Sequence, residues 1–132
     1  MPIALVTGAA RPNSIAAGIV PRLRADGWTV ITSDLHEADI PCDLSQPDEP
    51  ERLIREAAAL YGPIEALILS HAHDVPTGVL DTTPESFDMH VAVNTRASLL
   101  LIAAFVAFLV SPEGRWVSGQ LLQADGGFSA RF

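Results

Sequence analysis

At 132 residues with 48% hydrophobic side chains, the chain is long enough for one domain with its own core and too apolar to be disordered. Sixteen acidic against eight basic residues leave a formal charge of −8, which argues against nucleic acid or an anionic membrane surface as a partner. A lone cysteine, Cys42, excludes an internal disulfide, and the short apolar start makes no signal peptide, so the expected setting is cytoplasmic.

Strand-like and helix-like segments alternate along the chain, which predicts βαβ units and a mostly parallel sheet. Residues 3–6 form a short apolar strand. A helix over Ile15–Ala25 follows, with Ser14 as N-cap and Gly27 closing it. Residues 29–33 read as a β-branched strand ending at Asp34, and a weak third strand lies near 40–42. Residues 51–61 are an amphipathic helix stopped by Gly62-Pro63. The fourth strand, Ala66–Leu69, lacks alternation and is expected to be buried on both faces. Helix resumes near Pro84, and a last strand is expected over 119–124.

Between Pro84 and Pro112 there is no glycine or proline. One helix there would measure ~42 Å at ~1.5 Å per residue, against a domain diameter of roughly 36 Å, so it is expected to break or to join two helices. Within it, residues 99–110 are twelve consecutive apolar side chains. That run is shorter than the ~20 residues a bilayer needs and reads as a buried or interface helix.

The first strand runs into Thr7-Gly8-Ala9-Ala10-Arg11-Pro12-Asn13-Ser14-Ile15. A strand, a small-residue turn and a helix start expose backbone N–H groups and a positive helix end to an anion such as a pyrophosphate. Such turns also occur as plain strand–helix connections. Asp34 stands 26 residues after Gly8, where a carboxylate accepts from ribose hydroxyls and repels a 2′-phosphate. That favours NAD over NADP; the alternative is a solvated loop aspartate.

The TG turn, the acidic end of strand two and Cys42-Asp43-Leu44 together resemble the short-chain dehydrogenase/reductase family. So do Tyr61-Gly62-Pro63-Ile64-Glu65, Phe87-Asp88 with Val93-Asn94, and the C-terminal Val117-Ser118-Gly119-Gln120 and Asp125-Gly126-Gly127-Phe128. The match is nearest the 3-oxoacyl-carrier-protein-reductase-like branch. It implies a Rossmann-like three-layer α/β/α domain of about five strands and NAD(P)-linked hydride transfer to or from a small carbonyl or alcohol, a 3-oxoacyl group among the candidates. The cofactor-binding candidates it implies are Thr7, Gly8, Arg11, Ser14 and Ile15 in the turn and Asp34 and Leu35 after strand two. Asp43 and Leu44 follow strand three, and Ser70, His71 and Ala72 follow strand four. A homo-oligomer is expected, and no metal.

Two departures are local. The spacing from Gly8 to Ser14-Ile15-Ala16 is nearer that of enoyl-carrier-protein reductases, and the family's NNAG reads Leu69-Ser70-His71-Ala72. A third is larger. The family's catalytic set is asparagine, serine, tyrosine and lysine. Asn94 matches the asparagine, but the chain has no lysine, and its single tyrosine, Tyr61, precedes strand four. The asparagine helix passes into what resembles the family's final helix near 104–107, as though strands five and six and the catalytic helix were deleted.

His71, His73 and Asp74 match no strong metal spacing and are expected to be solvated, His36 and His90 have no evident partner, and Arg96 reads as surface or interface. The chain is therefore expected to be inactive alone; the rival reading is a non-catalytic dinucleotide-binding or scaffold subunit. The edge left on strand four requires either the 119–124 strand, giving order 3-2-1-4-5, or a second chain.

Overall fold

The computed structural model describes residues 1–112 and 114. Four strands, β1 (Ile3–Thr7), β2 (Thr29–Asp34), β3 (Ile40–Pro41) and β4 (Ala66–Leu69), form one parallel sheet in the order β3-β2-β1-β4. Its helices are α1 (Ile15–Ala25), α2 (Glu49–Tyr61), α3 (Pro84–His90) and α4 (Ala97–Leu109). The fifth strand expected over 119–124 lies outside the described residues.

β1 sits in the middle of the sheet, with Leu5 opposite both Ile31 and Leu67. All five of its residues are buried, as an unalternating apolar strand covered on both faces should be. Successive side chains point to opposite faces and feed two cores. Leu5 and Ile31 pack with Leu53, Ile54, Leu101 and Phe105 of α2 and α4. Val6 and Val30 pack with Ala16 and Val20 of α1. Helices thus cover both faces, the three-layer arrangement the sequence predicts. β3 carries Pro41, whose missing N–H is tolerated at a sheet margin.

The helix ends follow local chemistry. Ser14 Oγ accepts from Ala17 N–H at 3.1 Å, and Thr83 Oγ1 accepts from Ser86 N–H at 3.2 Å. Gly62 ends α2 at φ 111°, a conformation that favours glycine.

One expectation is corrected. All four residues of β4 are half-buried rather than buried, because β1 is its one strand neighbour among the described residues. Of the two courses expected for the long helix, it does not break: Pro84–Leu109 is a 26-residue helix, widened to π-helix over Val91–Arg96 and unbroken across 104–107. By length and composition it is long and apolar enough to cross a membrane, which the 99–110 run alone is not. Its Ala97, Leu101 and Phe105 nevertheless lie in the core beside α2, and its first half carries Glu85, Asp88, Asn94 and Arg96.

Candidate functional site

Parallel strands end together, and here the carboxyl ends of β1, β2, β3 and β4 meet the start of α1 around a groove of about 750 Å³. Ligand sites of open α/β sheets lie outside such strand ends. Gly8, Arg11, Ser14 and Ile15 come from the first turn, Asp34 and Leu35 from the end of β2, and Asp43 and Leu44 from beyond β3. Ser70, His71 and Ala72 close the groove beyond β4. Eleven of the twelve dinucleotide candidates therefore line one groove. Thr7, the twelfth, is fully buried behind it.

Gly8 is held by its neighbours. Its φ is 68°, and a Cβ there would lie 2.5 Å from the Ser70 carbonyl oxygen and 2.7 Å from His71 Cα. The turn must press against the end of β4, and only glycine permits it. Thr7 stitches the same junction. Its hydroxyl accepts from Ser70 N–H at 3.2 Å and lies 2.7 Å from His71 Nδ1. His71 Nε2 faces the Val93 carbonyl at 3.1 Å and so carries the ring proton. Thr7 therefore donates to Nδ1, and burial lowers the His71 pKa from its ordinary value, against the opposing pull of Val93 and Asp34. The expectation of solvated histidines fails for His71, since the loop folds it back onto β1.

Asp34 is anchored before any ligand arrives. Oδ2 accepts from Ala10 N–H at 2.9 Å and Oδ1 from Leu35 N–H at 2.8 Å, which aims the carboxylate across the first turn. Each oxygen keeps a further lone pair for a hydroxyl donor. Ser45 and Gln46 hold the Asp43 carboxyl below its ordinary range. Cys42 also lines the groove, and burial followed by the Glu49 carboxylate pushes its thiol up to about 12. It is a protonated packing group, not a nucleophile.

Asn94, the one catalytic candidate, does not line the groove but braces it. Its side chain accepts from His73 N–H at 2.7 Å and donates to the His73 carbonyl at 2.8 Å. His73 is a lining residue, with its ring 4.8 Å from that of His90, edge to face. His90 has partners that the sequence did not suggest: Nδ1 donates to the Ser86 carbonyl and Nε2 accepts from Val75 N–H. Arg96 donates to the Ser45 carbonyl, so it ties the π-helical segment to the loop after β3. Asn13, Ser45, His73, Met89 and Val93 are lining residues that sequence reasoning missed. Met89 and Val93 stand four apart on one helical run, the one sequence signal that groups them.

A second groove, about 830 Å³, lies between α2 and α4. Ala58, Ala103, Ala104, Ala107 and Phe108 make most of its wall, and Glu51 and Arg55 are its charged residues. It is the larger of the two but gathers few polar groups, so the strand-end groove carries the chemistry. Among the described residues no three His, Cys, Asp or Glu side chains are placed to hold a metal ion.

A family model described as enoyl-(acyl carrier protein) reductase matches residues 8–105. A short-chain dehydrogenase/reductase of Armillaria gallica is 29% identical over 117 residues, covering 74% of this chain and 44% of that protein. Dehydrogenase/reductase SDR family member 4 of Sus scrofa is 27% identical over 122 residues, covering 79% of this chain and 43% of that protein. The chain thus spans less than half the length of these curated relatives. A blue fluorescent protein from a metagenomic library, solved in complex with NADPH, superposes with a TM-score of 0.73 at 22% identity, covering 80% of this chain and 50% of that one. A 3-oxoacyl (acyl-carrier-protein) reductase from Agrobacterium tumefaciens, solved with NADP bound, also gives 0.73 at 22% identity, covering 80% and 46%.

Proposed function

The chain belongs to the short-chain dehydrogenase/reductase family, in the group described as enoyl-(acyl carrier protein) reductase, and we propose that its strand-end groove binds a nicotinamide dinucleotide without turning over a substrate. The observation that carries this reading is the convergence of the first turn, Asp34, Leu44 and the 70–72 segment on one groove at the start of α1. The volume lies within the roughly 300–1,000 Å³ of small-molecule sites. Free N–H groups of the first turn of α1 and the guanidinium of Arg11 would hold the pyrophosphate. Asp34 would accept from the adenosine ribose hydroxyls, Ile15 and Leu44 would flank the adenine, and Ser70, His71 and Ala72 would border the nicotinamide half. When bound, the dinucleotide would supply hydride chemistry at a carbonyl or alcohol.

The fixed carboxylate of Asp34 favours NAD over NADP, since a 2′-phosphate would meet a negative charge with both oxygens already oriented. Catalysis is another matter. General acid–base help typically contributes ~10²–10⁴-fold, and the family's tyrosine–lysine pair has no counterpart here. Tyr61 ends α2, just before Glu65 N–H bonds the Ile3 carbonyl, so it stands at the opposite end of the strands from the groove. We read 1–132 as a single dinucleotide-binding domain joined near 104–107, descended from a carbonyl or alcohol oxidoreductase of the 3-oxoacyl type, and acting in the cytoplasm. Leu99, Ile102, Val106 and Val110 are exposed along one side of α4, which supports self-association.

Calorimetric titration with NADH and NADPH tests the reading. NADH should bind more tightly, and Asp34→Ala should narrow the difference. Equal affinities in the parent protein would remove Asp34 from the site, and no binding of either would end the proposal.

A further inference from the structure

A π-helical stretch needs a reason, because widening the helix strands a carbonyl. Ala97 N–H reaches back five residues to the Ala92 carbonyl. In an α-helix it would have bonded the Val93 carbonyl, four residues back. That carbonyl instead faces His71 Nε2 at 3.1 Å. The other side of the same imidazole is fastened to Thr7 at the end of β1, and Ser98 Oγ lies 3.3 Å from Nε2. One neutral ring therefore joins the strand ends, the widened segment and the start of α4.

Asn94 follows Val93, and its side chain fixes His73 through two hydrogen bonds. If the segment relaxed to α-helix, the register would shift by one residue. Side chains on one side of the shift would turn by about 100° relative to those on the other, the angle one residue subtends. Asn94 would leave His73, and Val93 and Met89 would leave the groove wall. We propose that His71 is the positioning residue of this groove: by capping the Val93 carbonyl it holds the segment in π register and so aims Asn94 at His73. The inference rests on the dinucleotide reading for its consequence, but its geometry can be tested without ligand.

The groups facing His71 are Thr7 from β1, Asp34 from the end of β2, Ser70 from the loop after β4, the Val93 carbonyl and Ser98. The Val93 carbonyl and Ser98 Oγ accept on the Nε2 side and Thr7 donates on the Nδ1 side, which suits a ring with its proton on Nε2, while Asp34 pulls toward the charged ring. Glutamine at position 71 would keep a donor near the Nε2 position, whereas alanine removes it.

The full chain labelled with ¹⁵N provides the readout. In the parent protein, the His71 ring nitrogens should show a protonated Nε2 and a bare Nδ1 at pH 7.5. His71→Ala should shift the Asn94 side-chain amide resonances, while His71→Gln should leave them near their parent positions. NADH affinity should fall about tenfold in His71→Ala, the scale of one lost hydrogen bond to a buried acceptor. A ring with its proton on Nδ1, or an Asn94 amide unmoved in His71→Ala, overturns the inference. If His71→Ala does not fold, the ring tautomer and His71→Gln decide it. A parent protein that binds no NADH ends the dinucleotide reading alone, since the Asn94 resonances still report on the π register.

Discussion

Thr7→Val is the substitution that weighs the junction between β1 and β4 most cleanly. It conserves shape at a fully buried position and removes only the hydroxyl. Besides a long 3.4 Å contact with the Ile68 carbonyl, two partners are stranded: Ser70 N–H, which donates to Oγ1 at 3.2 Å, and His71 Nδ1, which lies 2.7 Å from it. A buried polar group left without a partner costs about 1–3 kcal/mol. Ser70 and His71 are half-buried, so each belongs at the low end, and the sum is about 2 kcal/mol. At a urea dependence of about 1–2 kcal/mol per molar for a domain of this size, the unfolding midpoint should fall by roughly 1–2 M. Thr7→Ser keeps both hydrogen bonds and loses one methyl, so it should cost only about 1 kcal/mol. In a His71→Phe background the further loss from Thr7→Val should shrink by about 1 kcal/mol, because one partner is already gone. A Thr7→Val protein within ~0.5 kcal/mol of the parent, the usual range of neutral surface changes, would refute this account of the junction.

Other outcomes follow from the same contacts. The folded-state pKa of His71 is lowered, so its contribution is complete above the ordinary histidine value of ~6.5 and is lost as pH falls below it; urea midpoints should drop as pH falls through that value and beyond, and His71→Gln should flatten that slope. Glu49 is held at about 2, chiefly by Arg52, so its contribution is present above the ordinary carboxylate range and lost as pH falls toward 2. The pair is partly exposed, so Arg52→Ala should cost no more than about 1 kcal/mol, read as a midpoint shift at pH 7. Cys42, at about 12, should resist a thiol reagent at pH 8 in the folded chain and react rapidly in denaturant; fast labelling of the native protein would contradict its burial. Hydride transfer from NADH to ketones should stay at background, and turnover that Asn94→Ala leaves intact would show that the active site lies elsewhere.

What the sequence disclosed was whatever local chemistry decides. Ser14 caps α1 because a side-chain oxygen three residues before a free N–H can do little else, and Gly62-Pro63 stops α2 because proline cannot continue it. The first turn and Asp34 were legible as a pair because strand ends bring them together at a fixed spacing. The His71 bonds were not, since Thr7 and Val93 stand 64 and 22 residues away and only the fold sets them side by side. Nor was the π widening, because Val91–Arg96 has no residue that an α-helix would reject. Solvated histidines were inferred from a polar loop, and that inference failed where the loop turned inward. Likewise, the run of β4 reads as buried, yet its burial depends on what lies beside it.

The most direct test of the dinucleotide reading is a titration of the ¹⁵N-labelled chain with NADH, followed by amide resonances. Saturable shifts are expected at Gly8, Ser14, Ile15, Asp34, Leu44 and Ala72, with Ala58, Ala103 and Ala107 of the α2–α4 groove unmoved. Shifts confined to those alanines, or none that saturate, would contradict it.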